Sequence, residues 1–208
     1  MCGITAISAN KEALPFLLQG LEKLAGITTI EENHLFTKKA KGRLQNLKDL
    51  LKDENVLGHV GIGHTRWATH GIPSNLNSHP HTNNDETISL VHNGIIENYR
   101  ELKEILILQG YQFHMMDYYY KKEKDLQKAL ERVITRIEGS YALCIVSTIE
   151  PDKVFIAKKD SPLVIGKTAD ASVAASDIPA ILDYTKDVYF LEDYEIAILN
   201  KGNVSFFD

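Results

Sequence analysis

Cysteine is scarce in this chain. Its 208 residues include only Cys2 and Cys144, too few for a disulfide framework and suited to a reducing compartment. Tryptophan occurs once, at Trp67. No apolar run approaches the ~20 residues that a membrane-spanning helix needs. The first residues carry no basic stretch ahead of an apolar one, so no signal peptide is visible. Excess positive charge is missing too: a net charge of −5 and a pI near 5.9 argue against a nucleic-acid surface. No internal repeat, low-complexity run or linker is evident. What remains is a cytoplasmic, globular composition, 44% hydrophobic and 25% charged, sized for one domain or two small ones.

Apolar patterning alternates short strands with a few amphipathic helices. Gly3–Ser8 reads as a strand, and Glu12–Leu24 carries Leu14, Leu17, Leu18, Leu21 and Leu24 at helical spacing. Leu44–Leu51, Ile95–Gln109 and Lys121–Ile137 also read as helices, the second ending at Gly110 as a C-cap. Beyond them come only strands and turns: Tyr141–Ser147, Lys153–Ala157, Leu163–Ile165, Ser172–Ala175, Val188–Leu191, Glu195–Leu199 and Val204–Phe207. This order predicts a layered α+β domain with helices covering its sheets. Cys144, inside the apolar run SYALCIV, reads as a small core residue.

Cys2 stands directly behind the initiator methionine. Cysteine is small, so removal of Met1 is expected, and a thiol and a free α-amine then share one residue. A thiol titrates at about 8.5 and an α-amine at about 7.7–8.0, so at neutral pH some amine is able to take the thiol proton. This is the activation that a nucleophile needs from an adjacent base. Read as packing alone, Cys2, Ile4, Ala6 and Ile7 simply begin a buried strand.

Polar chemistry concentrates in Gly61–Gly94. The string Gly63-His64-Thr65-Arg66-Trp67-Ala68-Thr69-His70-Gly71 follows a strand and ends in a turn. A planar guanidinium there suits a substrate carboxylate held bidentately, and Thr69 and His70 add hydrogen bonds from the same turn. Asn77-Ser78-His79-Pro80-His81 forms a loop, and His92-Asn93-Gly94 follows the apolar strand Ile88–Val91. An Asn amide beside a glycine N–H is a natural pair of donors for a developing oxyanion. His64, His70, His79, His81 and His92 also raise the question of zinc. No carboxylate or thiolate sits among them at ligand spacing and no His-Glu-x-x-His pair occurs, so neither a metal nor another cofactor is expected.

MCGI, GHTRWATHG, NSHPH and HNGIIENY, in this order, resemble the class II glutamine amidotransferase family. They look most like the glutaminase domains of its glutamine–fructose-6-phosphate aminotransferase (glucosamine-6-phosphate synthase) branch. GSYAL, SPLVIG, Ala175-Ser176-Asp177 and Val204-Ser205-Phe206-Phe207-Asp208 extend the likeness to the last residue. The resemblance implies an N-terminal-nucleophile hydrolase fold, a four-layer αββα sandwich, with residues 1–208 as a single glutaminase domain. It implies Cys2 as nucleophile, its α-amine as base, and Asn93 and Gly94 as the oxyanion hole. Arg66, Thr69 and His70 would hold the glutamine α-carboxylate, with the Gly94 carbonyl near the α-amine. Trp67 would gate ammonia, and His79 and His81 would lie near the synthase interface. The implied partners are L-glutamine and C-terminal sugar-phosphate isomerase domains, in an enzyme that is a homodimer when full length.

Two departures stand against that pattern. The family carries an Arg-Gly-Tyr-Asp-Ser-like loop where this chain runs from Leu21-Glu22-Lys23-Leu24 straight to Ala25-Gly26-Ile27. It also carries a Ser-Glu-Thr-Asp-Thr-Glu segment, holding the aspartate for the substrate amine, where this chain reads His114-Met115-Met116-Asp117. Asp117 is the nearest stand-in for that aspartate, at a different spacing. True loss of both segments would suit a catalytically silent glutamine-binding or regulatory module.

Overall fold

The computed structural model describes residues 3–19, 25–40, 44–65, 78–111 and 114–207. Strand β1 (Gly3–Ala9) is followed by helix α1 (Leu14–Gln19) and the hairpin of β2 (Ala25–Glu31) and β3 (His34–Lys39). Next come α2 (Leu44–Leu51), β4 (Val60–Thr65), β5 (His81–Thr82) and the long β6 (Ile88–Ile96). Helices α3 (Tyr99–Leu108), α4 (Met115–Glu123) and α5 (Leu126–Ile134) precede β7 (Gly139–Ser147), β8 (Val154–Lys159), β9 (Val164–Lys167) and β10 (Ala171–Ala175). A single turn, α6 (Pro179–Leu182), leads to β11 (Val188–Phe190), β12 (Ile196–Asn200) and β13 (Asn203–Phe207).

The strands make two antiparallel sheets. One has seven strands in the order β11-β9-β10-β1-β4-β2-β3, and the other six in the order β13-β12-β8-β7-β6-β5. Side chains alternate between the faces of a strand, and that alternation sorts the core into three layers. Ile4, Ala6 and Ile62 of the first sheet pack against Val91, Ala142, Cys144 and Ile156 of the second. Ile7, Ile27 and Val173, on the opposite face of the first sheet, meet Phe16 and Leu17 of α1 and Leu47 and Leu51 of α2. Leu143, Ile145 and Phe155, on the far face of the second sheet, meet Leu126, Leu130, Val133 and Ile134 of α5. Helix, sheet, sheet, helix is therefore the layer order, the expected αββα sandwich. Cys144 is a core residue, fully buried, with its thiol pushed far up by that burial.

Several expected elements need correction. The helix expected from Ile95 begins at Tyr99, because Ile95 and Ile96 remain in the ladder opposite Ser140 and Gly139. Asn98 holds the corner, donating to the Arg136 carbonyl (2.8 Å) and accepting from the Glu138 N–H (3.0 Å). The expected Lys121–Ile137 helix is two helices. Lys124 takes a left-handed φ of 55°, and Asp125 then caps α5 by accepting from the Lys128 N–H at 2.9 Å. The first helix is described only to Gln19, and Ala25 already begins a strand that the apolar pattern did not announce. The β-branched run Ile27–Ile30 favours that strand. Its hairpin turns through Glu32 and Asn33, both at positive φ, as a two-residue turn requires, but without the glycine that would have announced it. The short helix α6, where only strands and turns were expected, opens with Pro179 in its first turn.

Candidate active site

Strand β1 is the middle strand of its sheet, between β10 and β4. Its first described residues are fastened by side chains. The Gly3 N–H donates to Thr65 Oγ1 at 2.9 Å, and the Ile4 N–H donates to Ser176 Oγ at 2.9 Å. The Ser176 N–H returns a bond to the Ile4 carbonyl at 3.1 Å. Gly3 and Thr65 face each other across the β1–β4 ladder, and they adjoin Cys2 and Arg66 in the chain. Cys2 itself, with Arg66, Trp67, Thr69 and His70, lies outside the described residues.

Asn93 and Gly94 come from the other sheet. Asn93 shares a face of β6 with Val91, which packs between the sheets, and His64 shares a face of β4 with Ile62, in the same layer. The two polar side chains meet across that layer, His64 Nε2 lying 2.8 Å from Asn93 Oδ1. An amide oxygen only accepts, so this contact is a hydrogen bond in the Nε2–H tautomer of His64. Gly94 has φ of 111°, and a Cβ there would lie 2.1 Å from the Ser140 carbonyl oxygen. Only glycine fits this kink.

Histidines crowd the same region. The His64 and His79 rings are 4.5 Å apart, His79 and His81 4.5 Å, and His79 and His92 6.1 Å. The carbonyl of His79 rests against Gly26, where a Cβ would come within 2.2 Å of it. Burial pulls the His64 imidazole down to about 4, with the Asn93 bond pulling the other way. Burial also takes His92 to about 4 and, with the neighbouring histidines adding to it, holds His79 well below its ordinary value. His64, His79 and His92 are therefore uncharged at neutral pH. Among the described residues, no three His, Cys, Asp or Glu side chains are arranged to hold a metal ion. No helix among them is long and apolar enough to cross a membrane.

Some functional positions are silent in the sequence. Thr65 and Ser176, which tie down the start of β1, lie inside recognised strings that give no hint of this role. The pairing of His64 with Asn93 spans 29 positions and two sheets, and no local pattern announces it. Asp117 does not fit the part of stand-in for the amine-binding aspartate. It is 8% exposed, accepts from Asn83 Nδ2 at 3.1 Å and pairs with Lys121 at 2.9 Å. Those bonds engage its carboxylate within the α4 layer.

An αββα sandwich whose central strand starts beside a cysteine, facing an Asn-Gly pair of the second sheet, has the architecture of an N-terminal-nucleophile hydrolase. Comparison with known proteins narrows that class. The pattern of the glutamine amidotransferase domain family matches residues 64–183, and the chain belongs to that family. It is 49% identical over 225 residues to the glutamine–fructose-6-phosphate aminotransferase (isomerizing) of Clostridium tetani, covering all of this chain and 37% of that protein. The protein of the same name from Methanosarcina acetivorans is 43% identical, with 38% of its length covered. The chain thus spans little more than a third of these curated relatives. A matched stretch of 225 residues against 208 here agrees with internal segments that the family has and this chain lacks. The glutamine phosphoribosylpyrophosphate amidotransferase of B. subtilis shares the fold at 24% identity and a TM-score of 0.79, over 99% of this chain and 49% of that one. A glutamine aminotransferase class-II domain protein from Silicibacter pomeroyi shares it at 12% identity and a TM-score of 0.64, over 100% of this chain and 99% of that one.

Proposed function

We propose that this chain hydrolyses the side-chain amide of L-glutamine to glutamate and ammonia, as the ammonia-supplying half of a glucosamine-6-phosphate synthase. One observation carries the reading: Asn93 and Gly94 are held across the inter-sheet layer from the β1–β4 end at which the chain leads to Cys2 and Arg66. Family membership supports the same assignment. Residues 1–208 form the glutaminase domain in this reading, and ammonia passes to sugar-phosphate isomerase domains of a full-length, homodimeric enzyme.

The α-amine of Cys2 takes the thiol proton, and the thiolate attacks the amide carbon of glutamine. Asn93 Nδ2 and the Gly94 N–H stabilise the oxygen that becomes negative. The amine returns its proton to the nitrogen, the C–N bond breaks, and ammonia leaves. Water then attacks the glutamyl thioester, giving glutamate and restoring the thiol. Arg66, Thr69 and His70 hold the substrate carboxylate, and Trp67 lines the ammonia exit. His79, which the resemblance places near the substrate and the synthase interface, packs its ring against His64. The test is glutamate release from glutamine by the full chain, beside Cys2→Ala. A glutamine-like diazoketone should label Cys2 and spare the buried Cys144. Activity surviving in Cys2→Ala overturns the mechanism.

A further inference from the structure

The inter-sheet layer is apolar along most of its length, yet at the site end one polar bond crosses it. His64 is 2% exposed and accompanies Ile4, Ile62 and Val91 into that layer. Burying an imidazole there is costly unless it is hydrogen-bonded, and its side-chain partner is the candidate oxyanion donor itself. A carboxamide has two ends of opposite polarity on a soft, two-fold torsion. Turned one way, Asn93 gives its oxygen to His64 and its NH2 to whatever lies opposite. Turned the other way, two N–H groups confront each other, and the oxygen meets the developing oxyanion. Asn93 as an oxyanion donor works only in the first orientation.

We propose that His64 is the positioning residue that selects this orientation, with His79 backing its ring. The inference rests on the glutaminase reading above. His64 is required to be the Nε2–H tautomer, since only that form donates to Asn93 Oδ1. His79 sits 4.5 Å from the His64 ring, and its main chain presses on Gly26 so closely that no side chain fits there. The loop Ser78–His81 is thereby pinned to β2, leaving the His64 ring little room to turn. The His-Pro-His string thus braces the ring that aims the amide.

Two measurements test this on the full chain. In wild type, imidazole nitrogen shifts of His64 should report a protonated Nε2 and a bare Nδ1. The opposite tautomer overturns the proposal whether or not glutamine is turned over. The second is a double-mutant cycle of His64→Ala and Asn93→Ala read by glutamate release. Asn93→Ala should lower kcat about 10²–10³-fold, and His64→Ala by about tenfold or more with KM within about twofold. The double variant should be no slower than Asn93→Ala alone, within about threefold, because the histidine acts through the amide. His64→Gln retains a donor and should recover part of the loss. It also carries the cycle if the alanine variant does not fold. Losses that multiply, or that fall on KM, reduce His64 to a core residue. A wild type that releases no glutamate overturns the functional reading and this one with it; an active wild type with multiplying losses overturns this one alone.

Discussion

Acid should unfold this protein well before its carboxylates titrate. His64 and His92 are both held near 4 by burial, against an ordinary value of 6.5. Their folded forms stay neutral while the unfolded chain gains protons, so stability is full above about 6.5 and drains as pH falls toward 4. Within that window each imidazole contributes a slope approaching 1.4 kcal/mol per pH unit. Between neutrality and pH 5 that amounts to about 2 kcal/mol for each of the two. His79, held well below its ordinary value by burial and then by His64, His81, His92 and Lys39, adds in the same direction. Together these losses are a large part of the roughly 5–15 kcal/mol that holds a typical domain folded.

The assay is urea unfolding at half-unit steps from pH 8 to pH 5. The expected curve is flat above pH 7 and steepens below 6.5. Asp193 is the described carboxylate held below its ordinary value, chiefly by Lys158; any contribution it makes is lost only below about 4. A stability that is unchanged between pH 7 and pH 5 refutes this reasoning. His92→Gln, which keeps a polar group of similar length but cannot charge, should lower the acid slope by about one proton's worth.

Substitutions at the site separate further. Gly94→Ala places a Cβ 2.1 Å from the Ser140 carbonyl at a φ of 111°, so it should either fail to fold or release no measurable glutamate; a variant with normal Tm and kcat removes Gly94 from the site. Arg66→Lys keeps charge but loses the planar fork, so KM should rise about ten- to hundredfold while kcat holds, in line with about 1.5–3 kcal/mol for a charge-assisted pair. If kcat falls instead and KM stays, Arg66 does not clamp the carboxylate. In Asn93→Ala, kcat should collapse while Tm falls only modestly, since the buried His64 loses its partner at a cost of about 1–3 kcal/mol; a folded variant with near-normal kcat removes Asn93 from the oxyanion hole.

Legibility in the sequence followed the range of the interactions. Helix α2 matches its expected bounds at Leu44 and Leu51 because its apolar stripe is local. Strand β7 was visible as a continuous apolar run, since both of its faces are covered. The boundary between β6 and α3 was not visible, because Ile95 and Ile96 suit either element and the pairing with Gly139 and Ser140 decides. Strands β2 and β3 were missed for want of a glycine turn. At the candidate site, residue chemistry and family strings single out Asn93 and Gly94, and the assembled sheets place Asn93 against His64. The His64 bond that fixes the amide depends on two sheets meeting, and only the assembled layers disclose it.

That division bears on the half of the substrate that remains unaccounted for. In the proposed glutaminase the oxyanion side is built from described residues, with His64 against Asn93, whereas the aspartate that the family resemblance assigns to the amine falls in a segment absent from this chain. Asp117 does not replace it, because Asn83 and Lys121 engage its carboxylate. Recognition of the α-amine should therefore be weak here, and recognition of the side-chain amide and α-carboxylate should not. A charge-assisted bond to the ammonium is worth about 1.5–3 kcal/mol, roughly ten- to more than a hundredfold in kcat/KM. Without it, glutamine should be preferred over its des-amino analogue by less than about tenfold. Competition of the two substrates, read as glutamate and glutarate release, measures the ratio directly. A preference of a hundredfold or more means that another carboxylate meets the amine, and the loss of the segment then has no cost at the site.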